Sequence, residues 1–200
     1  NVLTVYGGCH ASFTAEDTLQ HVPSFDVIVR GEGEGTMVEL VAAWQAGRDF
    51  TDIQGLSFRH NGAMMHNPAR PRIRELDTLP FPARHLVDMT GYHLKLDLIG
   101  EKAASIITSR GCPINCSFCS ASFMFGKTLT RRSAVNVVDE MEHVLKTYGV
   151  GGFKIFDSTF TLIPKHAQDI CDEILRRGLV FPWECEIRAS NITFELLQKM

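Results

Sequence analysis

The chain has 200 residues, of which 44% are hydrophobic and 22% are charged, and its formal net charge is -3 at pH 7. Such a balance is typical of a globular protein and gives no electrostatic reason to expect nucleic acid or an anionic membrane as a partner. Because no apolar run approaches the roughly 20 residues that span a bilayer, and no basic leader opens the chain, we expect a cytoplasmic protein.

Both ends of the sequence suggest a piece of a longer protein. Residue 1 is not Met, and residues 2–6 read at once as a buried strand. At the other end, an amphipathic helix begins at Thr193 and the sequence stops at Met200. We therefore expect a fragment, truncated on both sides, that is inactive by itself.

The chain begins with two predicted βα units. In the first, the strand at 2–6 runs into the turn Gly7-Gly8, and Thr14 is the predicted N-cap of a short helix. In the second, residues 25–30 predict a strand and 31–35 a glycine turn. Such units imply a parallel sheet whose ligands bind at the carboxyl ends of its strands, so the two glycine turns are candidate contact loops.

The helix after the second turn is predicted to open with a capping box formed by Thr36 and Glu39. The turn itself imitates a dinucleotide-binding fingerprint. However, Thr36 stands where the third glycine is required, and Glu32 and Glu34 would repel a pyrophosphate. The pattern therefore excludes that function.

A hairpin and a linker are predicted next. Asn61-Gly62, between strand-like residues 55–59 and 63–66, is the strongest short-range signal for a β-hairpin. Four prolines then fall within residues 68–82. Because proline interrupts helices and central strands, residues 67–100 are predicted to be a surface linker.

Three of the six cysteines lie in one loop with the spacing C-x3-C-x2-C, at Cys112, Cys116 and Cys119. Crowded thiolates repel one another unless a cation holds them, and the loop follows a predicted buried strand at 103–108, so a soft metal is the first hypothesis. A structural zinc site would need a fourth Cys or His at matching spacing. An iron–sulfur cluster held by three cysteines keeps one iron open for another ligand.

The second half of the chain predicts the order βαβαβα. The predicted elements after the first strand are a helix from Ser133 to Gly149, a strand at 153–157, a helix from Pro164 to Gly178, a strand at 181–188 and a helix from Thr193. This order is typical of a (β/α) barrel or an open parallel sheet. Arg131 and Arg132 are interpreted as a solvated helix entrance.

The last predicted strand alternates in polarity. Apolar Trp183 and Cys185 point to one side, and Glu184, Glu186 and Arg188 point to the other. A polar row on one face of a barrel strand predicts an open, wet lumen in which a ligand could lie. Cys171 and Cys185 are interpreted as small core residues.

The cysteine loop resembles the cluster-binding signature of the radical S-adenosylmethionine superfamily, with Phe118 as the aromatic residue before the third cysteine. Further stretches resemble its cobalamin-binding branch, which includes anaerobic magnesium-protoporphyrin cyclases and methyltransferases. These stretches are residues 7–10, 29–34, 76–80, 109–113, 137–140 and 156–161.

The resemblance implies a [4Fe-4S] cluster on Cys112, Cys116 and Cys119, with S-adenosylmethionine on its open iron. The residues that it suggests for S-adenosylmethionine are Phe118, Asp157, Ser158, Glu184 and Arg188, and for cobalamin Gly7, Gly8, His10, Gly31, Glu32 and Gly33. No catalytic residue is assigned. For Asp157 the alternative is a helix cap, for His10 a surface position, and for the second glycine turn a purely structural role.

The predicted fold class is α/β, with a partial cobalamin-binding, doubly wound parallel sheet followed by the first half of a (β/α)6 partial TIM barrel. The predicted domains are 1–66, the linker 67–100, and 101–200. The implied function is an oxygen-sensitive, cobalamin-dependent radical enzyme that methylates or oxidatively cyclises a small molecule at an unactivated carbon. A flavodoxin or ferredoxin would supply its electrons. The alternatives are a radical enzyme whose first domain serves only for docking and a structural zinc module.

Overall fold

The structure is a computed structural model that describes residues 2–200. These residues divide into two compact units. The first contains residues 2–73 and Cys116–Gly126, and the second contains Arg74–Asn115 and Lys127–Met200. The predicted domain boundaries stay predictions. Among the described residues, no helix combines the length and the apolar character needed to cross a membrane.

The first unit contains one four-stranded sheet and four helices. The strands are β1 (Val5–Gly7), β2 (Val27–Val29), β3 (Leu56–His60) and β4 (Ala63–His66), in that order across the sheet. The helices are α1 (Cys9–Phe13), α2 (Ala15–His21), α3 (Glu34–Gln45) and the short α4 (Ala121–Met124).

The first two strands are parallel, as predicted, and the predicted hairpin extends the sheet in the antiparallel sense. Val5 pairs with Val27, and β3 pairs with both β2 and β4. Asn61 (φ 50°) and Gly62 (φ 81°) form the turn, in the left-handed conformation that a two-residue hairpin requires. The sheet is therefore mixed.

Of the two predicted helix caps in this unit, the position of the first is confirmed and the second is wrong. Thr14 is the N-cap residue of α2, with Glu16 and Asp17 in the first turn, but its hydroxyl donates to the His10 carbonyl at 2.9 Å and accepts from no helix amide. Helix α3 begins at Glu34, so Thr36 lies inside its first turn and is fully buried. Its hydroxyl donates to the Gln54 carbonyl at 3.0 Å and accepts from Arg70 Nε at 2.8 Å. Tertiary contacts thus use the oxygen that a capping box would need.

The second unit is built on a parallel three-stranded sheet. The strands of this unit are β5 (Ala103–Ile106), β6 (Ser109–Arg110), β7 (Thr130–Arg131), β8 (Gly152–Ile155) and β9 (Trp183–Cys185), of which β6 and β7 form a separate two-stranded ladder. The helices of the unit are α5 (Ala134–Tyr148), α6 (Pro164–Arg176) and α7 (Phe194–Lys199). The sheet order is β5-β8-β9, with both pairings parallel. This confirms the predicted alternation of strands and helices.

Local sequence signals set the helix ends of this unit. Ser133 caps α5, because its side chain accepts from the Asn136 amide, and Gly149 ends the helix in the left-handed conformation. Pro164 occupies the first turn of α6, where its missing N–H costs nothing. The apolar faces of these helices cover the sheet, and Met141, Phe153 and Phe160 are buried in this core.

Several side chains of the predicted linker are buried. Leu76 and Leu96 are buried, and Arg84 is buried as well. Arg84 forms an ion pair with Glu140 of α5 at 2.7 Å and donates to the Ser105 carbonyl at 2.9 Å. The part of the predicted linker from Arg74 onward therefore belongs to the second unit.

Candidate functional site

The cysteine loop is closed at its base by a two-stranded ladder that the sequence did not reveal. Strands β6 and β7 pair antiparallel, with Ser109 opposite Arg131 and Arg110 opposite Thr130. Between them, the cysteine-bearing residues 111–119 form neither helix nor strand. Two-residue strands have no detectable periodicity, which explains why the pattern missed them.

All three thiols are free. Cys112 is 7% exposed, Cys116 is intermediate and Cys119 is exposed. Within residues 2–200, no three His, Cys, Asp or Glu side chains are placed so that they could hold a metal ion. The chemistry of the donor set nevertheless fits an iron–sulfur cluster, because three soft thiols lie on one loop and the sequence has no fourth Cys or His at the matching spacing of a zinc site.

A buried polar cluster lies where β5 and β8 end. Asp157 Oδ1 accepts from the amides of Thr108 (2.7 Å) and Ser109 (3.1 Å), and Oδ2 accepts from the hydroxyls of the same residues at 2.5 and 2.6 Å. His166 Nε2 lies 3.0 Å from Thr108 Oγ1. Burial lowers the pKa of His166. The segment that leads into the cysteine loop is therefore fixed to the end of β8.

A cavity of about 300 Å³ opens on the polar side of β8 and β9. Glu184 and Glu186 line it, as the predicted wet lumen requires, together with Lys154 and Asp97. Lys154 Nζ lies 2.8 Å from Asp97 and 3.4 Å from Glu184. Glu184 Oε1 also accepts from the Asp97 amide at 2.5 Å. The cavity wall therefore carries three carboxylates and one ammonium group.

Three of the five residues suggested for S-adenosylmethionine are on the surface. Phe118 is 91% exposed, Ser158 and Arg188 are exposed, and Arg188 is not among the residues that line the cavity. The structure therefore brings only Glu184 of this set into the cavity. The ligand roles of all five residues stay predictions.

In the first unit, one hydroxyl joins the two glycine turns. Ser12 Oγ donates to the Gly8 carbonyl at 2.8 Å and accepts from the Gly31 amide at 2.9 Å. Gly8 (φ 100°) and Gly31 (φ 72°) both have positive φ, and both are exposed at the carboxyl ends of the parallel strands β1 and β2. Two candidate contact loops thus form one surface, which sequence reasoning missed because Ser12 belongs to no motif.

The remaining residues suggested for cobalamin, which are Gly7, His10, Glu32 and Gly33, have different environments. Gly7 and His10 are exposed, and the His10 ring lies 6.5 Å from that of Tyr6. The Glu32 carboxylate accepts from the Ile73 amide at 2.7 Å. A Cβ at Gly33 would come 3.1 Å from Val29 Cγ1, so close packing explains that glycine. The cobalamin roles stay predictions.

Two further cysteines are suited to a core rather than to chemistry. Burial raises the pKa of Cys171 to about 11 and that of Cys185 to about 12. Because the thiolate is the reactive form, the raised pKa values lower the reactivity of both thiols at neutral pH; Cys171 is buried, whereas Cys185 is half-buried and lines the cavity.

Comparison with known proteins gives relatives along the whole chain. An uncharacterized methyltransferase of Pyrococcus horikoshii is 40% identical over 200 residues, which cover 100% of this chain and 43% of that protein. The anaerobic magnesium-protoporphyrin IX monomethyl ester cyclase of Cereibacter sphaeroides is 36% identical over 198 residues, which cover 96% of this chain and 32% of that protein. No protein-family model matches the sequence.

Among solved structures, the radical S-adenosylmethionine methyltransferase TsrM from Kitasatospora setae superposes with a TM-score of 0.67 and 28% identity, over 86% of this chain and 33% of that one. That structure holds tryptophan substrate and an S-adenosylmethionine analog, and another of the same enzyme holds cobalamin and a [4Fe-4S] cluster. The chain spans less than half the length of the relatives described here. The predicted resemblance and the α/β fold class are confirmed.

Proposed function

We propose, from its relationship to the cobalamin-binding branch of the radical S-adenosylmethionine superfamily, that this chain forms the cofactor-binding part of such an enzyme. The observation that carries the proposal is the loop with three free thiols, which follows a buried strand of a parallel sheet and is closed by its own ladder. The similarity to a methyltransferase and to a cyclase supports the proposal, because it extends over nearly the whole chain.

In this function, Cys112, Cys116 and Cys119 would hold the cluster, with one iron left for S-adenosylmethionine. The cluster would supply the electron that cleaves S-adenosylmethionine to methionine and a 5′-deoxyadenosyl radical. The cavity beside Glu184 and Lys154 suits the polar parts of that ligand, because it offers carboxylates and an ammonium group. Its acidic wall favours ligand groups that are cationic or that donate hydrogen bonds.

Cobalamin is proposed to contact the surface formed by the Gly8 and Gly31 turns. Positive φ at both residues leaves the backbone open to a bulky ligand, and the carboxyl ends of parallel strands are where such sheets bind ligands. The Ser12 hydroxyl holds the two turns at a fixed separation.

The whole enzyme is proposed to methylate or oxidatively cyclise a small molecule at an unactivated carbon, with a flavodoxin or ferredoxin as electron donor. A cytoplasmic location is proposed because three free thiols on one loop require a reducing compartment. Oxygen is expected to abolish the activity.

Anaerobic reconstitution of the full-length protein with iron and sulfide tests the proposal. The expected result is iron uptake and an electron paramagnetic resonance signal of the reduced cluster that changes on addition of S-adenosylmethionine. Replacing Cys112, Cys116 and Cys119 with Ala should abolish the signal, whereas the matched variant Cys171→Ala should keep it. Tight zinc binding without iron uptake would refute the proposal and favour a structural zinc module.

Cobalamin binding is tested separately by titration of the full-length protein. A change in the cobalamin absorption spectrum at stoichiometric binding is expected. A protein that assembles the cluster but leaves cobalamin free would instead be a radical enzyme whose first domain serves for docking.

A further inference from the structure

The strongest unassigned feature is the buried polar cluster at the base of the cysteine loop. Asp157 is 2% exposed and His166 is 5% exposed, while Thr108 and Ser109 are also buried. Buried carboxylates are costly unless hydrogen bonds or opposite charges compensate them. Here four hydrogen bonds to the carboxylate come from two consecutive residues, Thr108 and Ser109.

The hydrogen bonds saturate the Asp157 carboxylate. A carboxylate offers about four acceptor positions, and two amides and two hydroxyls donate to the two oxygens of Asp157. A bound ligand would have to displace one of these donors. The geometry is that of a group that holds the backbone, rather than one that waits for a ligand.

The same count of hydrogens assigns the tautomer of His166. Thr108 Oγ1 gives its only hydrogen to Asp157 Oδ2, so at 3.0 Å it accepts from His166 Nε2–H. Burial favours the neutral ring. The network therefore runs in one direction, from His166 through Thr108 to Asp157.

The network acts on the start of the cysteine loop. Ser109 is the first residue of β6, the ladder strand that closes the loop, and it lies three positions before Cys112. The two amides that donate to Asp157 fix the orientation of successive peptide groups at this point. Any movement of Asp157 would therefore shift the backbone from which Cys112 is presented.

We propose that Asp157 is a positioning residue. Together with His166, it fixes the backbone at the point where the cysteine loop leaves the sheet. The proposal rests on the proposed function only in that Cys112 holds the cluster. It replaces the expected contact of Asp157 with S-adenosylmethionine by an indirect role.

Asp157→Asn in the full-length protein tests the proposal, because it keeps the shape but removes the charge and one acceptor oxygen. Amide hydrogen exchange of the 108–112 segment in the cluster-free protein should accelerate roughly tenfold to a hundredfold, as expected for loss of a charge-assisted hydrogen bond. After reconstitution, the reduced cluster should show a shifted or broadened resonance signal. Asp139→Asn, which removes an exposed carboxylate paired with Arg177 of the second unit, is the matched control and should change neither.

Ser109→Ala provides a milder variant if Asp157→Asn does not fold, because it removes one of the four donors and should give a smaller effect of the same kind. Nitrogen-15 spectra of the wild-type protein should show His166 neutral and protonated at Nε2. Unchanged exchange and an unchanged cluster signal in both variants, or a His166 ring protonated at Nδ1, would overturn the proposal. Failure of the wild-type protein to bind a cluster would instead refute the proposed function and leave the exchange result standing.

Discussion

Loss of the buried Glu140 carboxylate of α5 should destabilise the second unit far more than loss of an exposed carboxylate. Glu140 is 1% exposed and forms ion pairs with Arg84 at 2.7 Å and with Arg132 at 2.5 Å, and both arginine side chains are themselves almost buried. Glu140→Gln leaves two guanidinium groups facing a neutral amide. Removal of one member of a buried ion pair typically costs about 3–5 kcal/mol.

That cost is large beside the roughly 5–15 kcal/mol by which domains are usually stable. We therefore expect Glu140→Gln to lower the denaturant midpoint strongly, with the loss in unfolding free energy measured by urea denaturation followed by circular dichroism. The matched control is Glu142→Gln, two positions along the same helix, where the carboxylate bonds Lys146 and Arg177 nearer the surface. A surface pair of this kind contributes about 1 kcal/mol or less. Equal losses in the two variants would refute the reasoning.

Three further predictions concern titration, thiol access and the hairpin. Burial lowers the pKa of His166 in the folded state, so the unfolded chain binds more protons at acid pH. The contribution of neutral His166 to stability is therefore present above about pH 6.5 and is lost as the pH falls. Urea midpoints from pH 7.5 to 5 should therefore decline less in His166→Gln, and parallel declines would contradict this. Iodoacetamide mapping by mass spectrometry of the metal-free protein should label exposed Cys119 well before Cys171 and Cys185, whose pKa values are raised, and an early label on either would contradict the raised pKa values. Asn61→Ala should lower the unfolding free energy of the first unit by about 1 kcal/mol, because alanine tolerates the positive φ of this turn less well than asparagine, whereas Asn61→Gly should not.

Signals that act between residues close together in the sequence predicted the fold well. The apolar spacing between Ser133 and Gly149 predicted α5 at both ends, because one residue caps each end locally. Asn61-Gly62 predicted the hairpin for the same reason. The cysteine spacing likewise predicted a loop, since no periodic apolar face passes through it.

The sequence could not predict interactions between residues that are far apart in the chain. Thr36 satisfies the local rule for a cap, yet Arg70 and the carbonyl of Gln54 take its hydroxyl. Arg132 was interpreted as a solvated residue, but Glu140 and the Ile107 carbonyl hold it in the second unit. Asp157 ends a strand, as predicted, but only the three-dimensional structure shows that Thr108 and Ser109 use its carboxylate.

The ladder formed by β6 and β7 also has a consequence for how the length of the cysteine loop can vary. Since Ser109–Arg110 and Thr130–Arg131 fix both ends, extra residues between them add to the closure entropy of a loop that is already closed. That entropy rises slowly, by about 0.6 kcal/mol for each doubling of length. A change in the length of the segment between the two strands therefore carries only a small entropic cost of closure, whereas in the proposed function the spacing between Cys112 and Cys119 would have to match the ligand geometry of a cluster.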